Sequence, residues 1–333
     1  MKIKSTLLLG LLSILVISCE KDENILIPIQ ADFSASDSII EIYDTITFTN
    51  LSENVDLEDS ATTFTWYFQD GFPAKSTDLS PSVVYKKEGL YSVRLVTKNK
   101  ETNDSITKSC CIKVKGLNEE GLVSYFPFNG SINDVKAYNK DTAIGGFFCK
   151  DEKGKAENAY YFTRINKDRI RCGTDPISND TSLTLSLSIF PESGVSEDME
   201  NEYIISSGAQ TLCAGYYMIW KNGQMGFGRH TNHFVCDTLF GQYEPLKWYK
   251  VAMTYNCNNQ KVIIYVNGKQ VVSTTAKSKE IYEHKWRTLS IGEANNSYLF
   301  NNRWTFNGVI DQVRIYNRVL TEREIQKLYL TNL

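Results

Sequence analysis

Trp304 stands in the run Asn301-Asn302-Arg303-Trp304, a mixture of residue types with a definite chemical use. A sugar lays its apolar C–H face on an aromatic ring while its hydroxyls exchange hydrogen bonds with amide, carboxylate and guanidinium groups. Trp304, Arg303 and Asn302, joined by Arg229 from "GFGRH", are therefore the candidate carbohydrate-binding residues. Trp220 and Trp286 lie in similarly polar company, in "IWKNGQ" and "EHKWRTL". The competing use for these side chains is packing at the open rim of a β-sandwich.

Bond-breaking chemistry has less to work with. Glycoside hydrolysis needs two carboxylates about 5 Å apart, or wider for inversion, and a strand carrying Glu-x-Asp-x-x-Glu would supply them on one face. No such strand occurs, and the nearest acidic run, "SEDMENEY", reads as a solvated loop. There is no G-x-S-x-G elbow, no H-E-x-x-H and no phosphate-cradling glycine loop. His230 and His233 sit in "RHTNHF", but residues three apart on a strand face opposite ways, so they line a loop rather than share a metal. The expectation is a protein that is not an enzyme.

The elements that must position such residues are strands. Nineteen tyrosines and sixteen phenylalanines among 333 residues, with abundant Thr, Val and Ile, favour β-structure. A formal net charge of −3 and the absence of a basic block exclude nucleic acid as an expected partner. Residues 31–115 read as short alternating strands, among them "TITFTN", "TFTWYFQDG" and "YSVRLVTKN", at sandwich spacing. Phe64, Trp66 and Phe68 fall on one face there, which makes Trp66 a core residue. Farther on, "LTLSLSIF" puts Leu183, Leu185, Leu187 and Ile189 on one side, and "KVIIYVNGKQVV" turns at Asn267-Gly268. One helix closes the chain: Thr321 with Glu324 three residues later forms a capping box before Ile325 and Leu328.

The amino terminus carries an address. Lys2 and Lys4 precede an apolar run, Leu7–Ile17, that is too short to span a bilayer and reads as a secretory signal. Eight cysteines suit an exported chain. With Cys19 set aside, Cys110, Cys111, Cys149, Cys172, Cys213, Cys236 and Cys257 leave at least one unpaired within the chain. Cys149 with Cys172, and Cys213 with Cys236, are conceivable pairs across hairpins that spacing alone cannot establish. Cys110 and Cys111 should point to opposite faces of a strand.

Four resemblances follow from quoted residues. Leu15-Val16-Ile17-Ser18-Cys19 resembles the bacterial lipobox, and Glu20-Lys21-Asp22-Glu23 is similar to the acidic export signal of Bacteroidetes lipoproteins. These imply lipidation at Cys19 and an outer-membrane lipoprotein exposed at the cell surface, where several acyl chains give stable anchoring. Trp66, Phe68, Asp70, Gly71, Pro81, Tyr85, Gly89, Tyr91, Val93 and Leu95 resemble the polycystic-kidney-disease (PKD) repeat, with Gln69 in place of the usual glycine. That implies an immunoglobulin-like β-sandwich acting as a spacer. "GLVSYFPFNGSINDV", "WYKVAMTYNCNNQKVIIYVNGKQV" and "FNGVIDQVRIYNRVLTEREIQKLY" resemble the laminin-G-like, concanavalin A-like jelly roll of bacterial surface proteins.

The last resemblance implies two curved antiparallel sheets that bind ligands on the concave face or edge loops, and it makes Trp248 a core tryptophan. It also implies one structural Ca2+, which takes several oxygen ligands. If the first and last strands pair, Asn129, Asn133, Asp134 and Asp311 could converge on that ion. Val135-Lys136 replaces the Ser-Gly usual after the early Asp. The alternative is that these side chains satisfy turn backbone.

The expected organisation is an all-β chain: signal peptide 1–18, tether 19–28, PKD-like sandwich 29–115 and laminin-G-like jelly roll 116–333. The expected function is non-catalytic binding of a glycan or polysaccharide. A protein-binding adhesin or complex subunit, with another surface protein as partner, is the alternative, and a diverged glycoside hydrolase the third.

Overall fold

The computed structural model describes residues 27–136, 141–177, 181–192, 201–208, 215–230, 238–276, 287–294 and 304–331, with Arg229 and His230 described by backbone alone. By its contacts the chain divides into two compact units. One is built from the described residues up to Ser38 with Ile46–Val83 and Tyr91–Cys111, the other from Ile39–Thr45, Val84–Leu90 and Ile112–Leu333.

The amino-terminal strands form two sheets. One runs Phe33–Ala35, Thr45–Asn50, Ser82–Tyr85, Gly71–Phe72, and the other Ile39–Glu41, Asn103–Lys115, Gly89–Lys98, Thr63–Phe68, Lys75–Ser76. Alternation along each strand sends every second side chain inward. Trp66 is fully buried, with ring centroids at 5.4 Å to Phe33, 6.0 Å to Phe48 and 5.9 Å to Phe68. Its indole Nε1–H donates to the Asp78 carbonyl at 2.9 Å, so the one polar group of the side chain is satisfied. Cys110 is exposed at a positive φ of 50°, and Cys111 is half-buried.

The carboxy-terminal strands form a jelly roll. Its eight-stranded sheet runs Phe147–Cys149, Ala159–Phe162, Gly308–Tyr316, Leu183–Pro191, Tyr249–Tyr255, Lys261–Val266, Lys269–Thr275, and Leu122–Phe126 also pairs with Gly308–Tyr316. The first and last strands of the domain are thus neighbours, as expected. A seven-stranded sheet, Thr142–Ile144, Arg169–Thr174, Thr288–Ile291, Glu202–Gly208, Gly215–Lys221, Gln224–His230, Thr238–Phe240, packs against it. Leu183, Leu185, Leu187 and Ile189 all enter the shared core with Ile205, Tyr216, Met218 and Trp220. Asn267 and Gly268 both have positive φ, 50° and 76°, which is the conformation a two-residue hairpin turn requires.

Helix Glu322–Thr331 begins on the capping box. The Thr321 N–H donates to Glu324 Oε2 at 2.8 Å, and the Glu324 N–H reaches back to Thr321 Oγ1 at 3.3 Å. Ile325 and Leu328 cover Ala252, Tyr265, Tyr316 and Leu320 on the outer face of the eight-stranded sheet.

The cysteine pairing across Cys149 and Cys172 does not form. The two belong to strands of different sheets, and both are free thiols, as is Cys257. Cys213 and Cys236 lie outside the described residues.

Candidate functional site

Of the residues marked for sugar binding, Trp304 is the one whose side chain the structure describes. Trp304 is half-buried and stacks on Tyr203, centroids 5.9 Å apart at 26°. Tyr203, Tyr217, Ile219 and Ala294 form a cluster separate from the inter-sheet core, with Trp304 packed against it. Arg229 pairs in register with Tyr216, which belongs to that core. Asn302 and Arg303 lie outside the described residues, as do Trp286 and Cys19.

Of the four oxygen-bearing residues expected at a calcium ion, Asp134 is already committed to protein donors. Asp134 is buried, and its carboxylate already accepts from Ser124 Oγ, from the Tyr125 N–H at 2.9 Å and from the Lys136 N–H at 2.8 Å. The Asp134 N–H donates to Asp141 Oδ2 at 2.8 Å. Burial pushes the Asp141 carboxyl up, and the nearby Asp134 charge adds to the push. Asn129 and Asn133 are exposed, and Asp311 has no hydrogen-bond partner in common with Asp134. Among the described residues no group of three or more His, Cys, Asp or Glu could hold a metal ion. The set does not fit a shared calcium; Asp134 acts as a turn lock. Asp134→Ala should cost about 3 kcal/mol or more, because it strips a buried charged acceptor from three donors. The loss should be equal in calcium and in EDTA by thermal unfolding, and a loss confined to calcium would restore the ion.

Asp311 instead opens onto a cleft of about 260 Å³ on the eight-stranded sheet. A β-bulge makes this possible. Ser186 pairs with Arg314 and Ser188 with Asp311, so three steps on one strand oppose two on the other, and Gln312 takes a φ of 54°. The extra residue turns both Asp311 and Arg314 to the outer face. Tyr125, Asp151, Asn158, Ser188, Trp248 and Gln312 complete the walls with them.

Most of the polar groups here are committed to one another. Arg314 lies over the Tyr125 ring at 4.2 Å and donates to Tyr125 Oη at 2.9 Å and Gln312 Oε1 at 2.8 Å. Asp151 accepts from the Lys153 and Lys155 N–H groups and from Asn158 Nδ2, at 3.0, 2.8 and 2.7 Å. Glu152 pairs with the buried Lys250 at 2.8 Å. Asp311 is the exception: only 6% exposed, it accepts from the Gln312 N–H at 2.7 Å, and among the described residues it has no ion pair. Burial lifts its carboxyl to about 7; the Asp151 charge adds to the lift, while the Gln312 hydrogen bond and Arg314 oppose it.

Trp248 lines this cleft, half-buried, with its ring 5.6 Å from that of Phe190. Reading it purely as a core tryptophan missed this: the side chain leaves the inter-sheet core to Tyr249, its neighbour on the alternate face. The one sequence signal was its position two residues before Lys250, on the same face of the strand. Asp311 was singled out by sequence, for a different chemistry.

Fold and cleft together define a two-domain, all-β chain whose second domain is a lectin-type jelly roll. Residues 30–111 match the PKD domain family, and residues 166–326 match Laminin_G_3, of the concanavalin A-like lectin/glucanases superfamily. The chain therefore carries a PKD domain followed by a concanavalin A-like domain. Among similar solved structures, the binding domain of botulinum neurotoxin DC in complex with rat synaptotagmin II is 15% identical, with a TM-score of 0.50 over 64% of this chain and 52% of that one. A structure of botulinum neurotoxin type C, whose cell entry is described as dependent upon interaction with two ganglioside molecules, is 15% identical with a TM-score of 0.50, covering 64% and 51%. Domain 4 of AbnA, an extracellular arabinanase from Geobacillus stearothermophilus in complex with arabinotriose, is 18% identical with a TM-score of 0.48, covering 64% and 100%. This chain spans about half the length of the toxin structures, and at these identities the likeness is one of fold. No curated protein matches the chain.

Proposed function

We propose that the concanavalin A-like domain binds carbohydrate without transforming it, and that the Asp311 cleft receives the sugar. One observation carries this reading: a buried carboxylate, without an ion pair among the described residues, faces a cleft edged by the Trp248 ring. An acceptor that strong suits vicinal hydroxyls, and the indole supplies the apolar face a pyranose needs. Binding is favoured over hydrolysis because hydrolysis requires a second working carboxylate. Asp151 is engaged by three donors and Glu152 by Lys250. A toxin structure of similar fold, whose cell entry is described as dependent upon two ganglioside molecules, supports glycan binding as a use of this architecture. Trp248→Ala should lower affinity for glycan at least about tenfold, whereas Trp304→Ala should leave it unchanged. Calorimetric titration of both variants decides between the cleft and the Trp304 rim, and the opposite pattern would move the site.

The PKD domain acts in this reading as a spacer between membrane and glycan. Lys2, Lys4, the Leu7–Ile17 run and Cys19 support a lipid-anchored protein at the outer surface. Among the described residues no helix is long and apolar enough to cross a membrane. Cys19→Ala should release the protein from the membrane fraction; a variant that fractionates like wild type would refute the anchor.

A further inference from the structure

Beside the cleft, strand register builds a row of four rings and one valine across five strands. Phe147 pairs with Tyr161, Tyr161 with Val309, and Val309 with Phe190, whose ring meets that of Trp248. All five share one face: Val309 and Phe190 stand two residues from Asp311 and Ser188, and Trp248 two residues from Lys250, in the polar row that opens onto the cleft. Their strand neighbours Tyr160, Ile310, Ile189 and Tyr249 point the other way, into the core. A solvent-facing sheet surface ordinarily carries polar side chains. This one carries aromatics on either side of a buried Val309, with Phe147 56% exposed and its ring stacked on Tyr161 at 5.0 Å. Glu192 fixes the outer end of Tyr161 by accepting its hydroxyl proton.

We propose that the site takes an extended, uncharged oligosaccharide laid across the strands, its sugar faces on the row from Trp248 to Phe147 and its hydroxyls toward Asp311. This rests on the glycan reading above and adds length and charge to it. At about 4.8 Å between strands the row spans about 19 Å, which suits a chain of linked sugars rather than one ring. The row itself contains no ionisable carboxylate or base, so it offers nothing to a charged sugar. Apolar side chains in series fit the repeating C–H faces of a polysaccharide, and the adjoining polar row of Asp311, Ser188 and Lys250 fits its hydroxyl edge.

The test is calorimetric titration of the full chain with ladders of one to six units of β-1,4-glucan, β-1,4-xylan, β-1,4-mannan and α-1,5-arabinan, with oligogalacturonate as the charged control. At least one neutral ladder should gain about tenfold or more in affinity between its dimer and its tetramer. Phe147→Ala, an exposed position that spares the core, should remove most of that gain while dimer binding stays as in wild type. Dimers that bind as tightly as hexamers, a Phe147→Ala variant with an unaltered ladder, or preference for oligogalacturonate would overturn the extended-chain proposal and leave the cleft standing. Failure of every ladder to bind would overturn both. A peptide that competes for the row with no glycan bound would likewise reassign the surface.

Discussion

Asp311→Asn should make the jelly roll more stable above neutral pH, with the gain vanishing below about pH 4. The folded carboxyl sits at about 7 against an ordinary 3.8, raised first by burial. A folded-state value above the unfolded one means that the native protein holds the proton more tightly. The stabilisation tied to that proton is therefore fully present below pH 3.8 and is lost as pH rises through 7. At about 1.36 kcal/mol per pH unit the loss reaches at most about 4 kcal/mol by pH 8. Asparagine keeps the oxygen that accepts from the Gln312 N–H but carries no charge, so its unfolding curve should lack this pH dependence. Because the same carboxylate is the proposed sugar ligand, the variant should bind glycan more weakly while melting several degrees higher at pH 8. Parallel unfolding curves for the two proteins from pH 4 to 8 would show that Asp311 is not buried as described.

A second large effect lies deep in the seven-stranded sheet. Arg287 and Asp175 are both fully buried and oppose each other at 3.3 Å. Asp175 also accepts from Ser207 Oγ, from the Tyr216 hydroxyl at 2.8 Å and from the Ile177 N–H at 2.9 Å. Burial, then the Asp175 charge, holds the Tyr216 phenol well above its usual range, so it remains a donor. Arg287→Met would leave that carboxylate in the core without the Arg287 charge. Breaking one side of a buried pair costs about 3–5 kcal/mol, or roughly 10 °C in melting for a domain of this size at about 2–4 °C per kcal/mol. Adding Asp175→Asn should recover part of the loss, since the two sites are coupled. A single variant that melts within about 2 °C of wild type would contradict this account.

How far the sequence spoke can be judged residue by residue. Period-two alternation gave Leu183 to Ile189 their face, and Thr321 with Glu324 marked the start of the helix, because both signals are local. Asp311 was visible as an acid embedded in an apolar strand, yet its use was not. What distinguishes it from Asp134 is that Asp134 finds three donors within ten residues, whereas at the bulge Asp311 accepts from the adjacent Gln312 N–H. Bulges depend on how two strands align, and alignment is not written in either strand alone. The apolar row was illegible for the same reason: Phe147, Tyr161, Phe190, Trp248 and Val309 become neighbours only through four separate registers. Cys149 and Cys172 illustrate the converse, a plausible spacing undone when the chain sends their strands to different sheets.

The position of a bound oligosaccharide in a crystal of the full chain tests the central claim most directly, using the tightest neutral tetramer from the titrations. The account predicts a sugar ring stacked on Trp248, a hydroxyl within hydrogen-bond distance of the Asp311 carboxylate, and the remaining units running over Phe190 and Tyr161 toward Phe147. Density for the sugar at the Trp304 rim, with the Asp311 cleft holding only solvent, would contradict it.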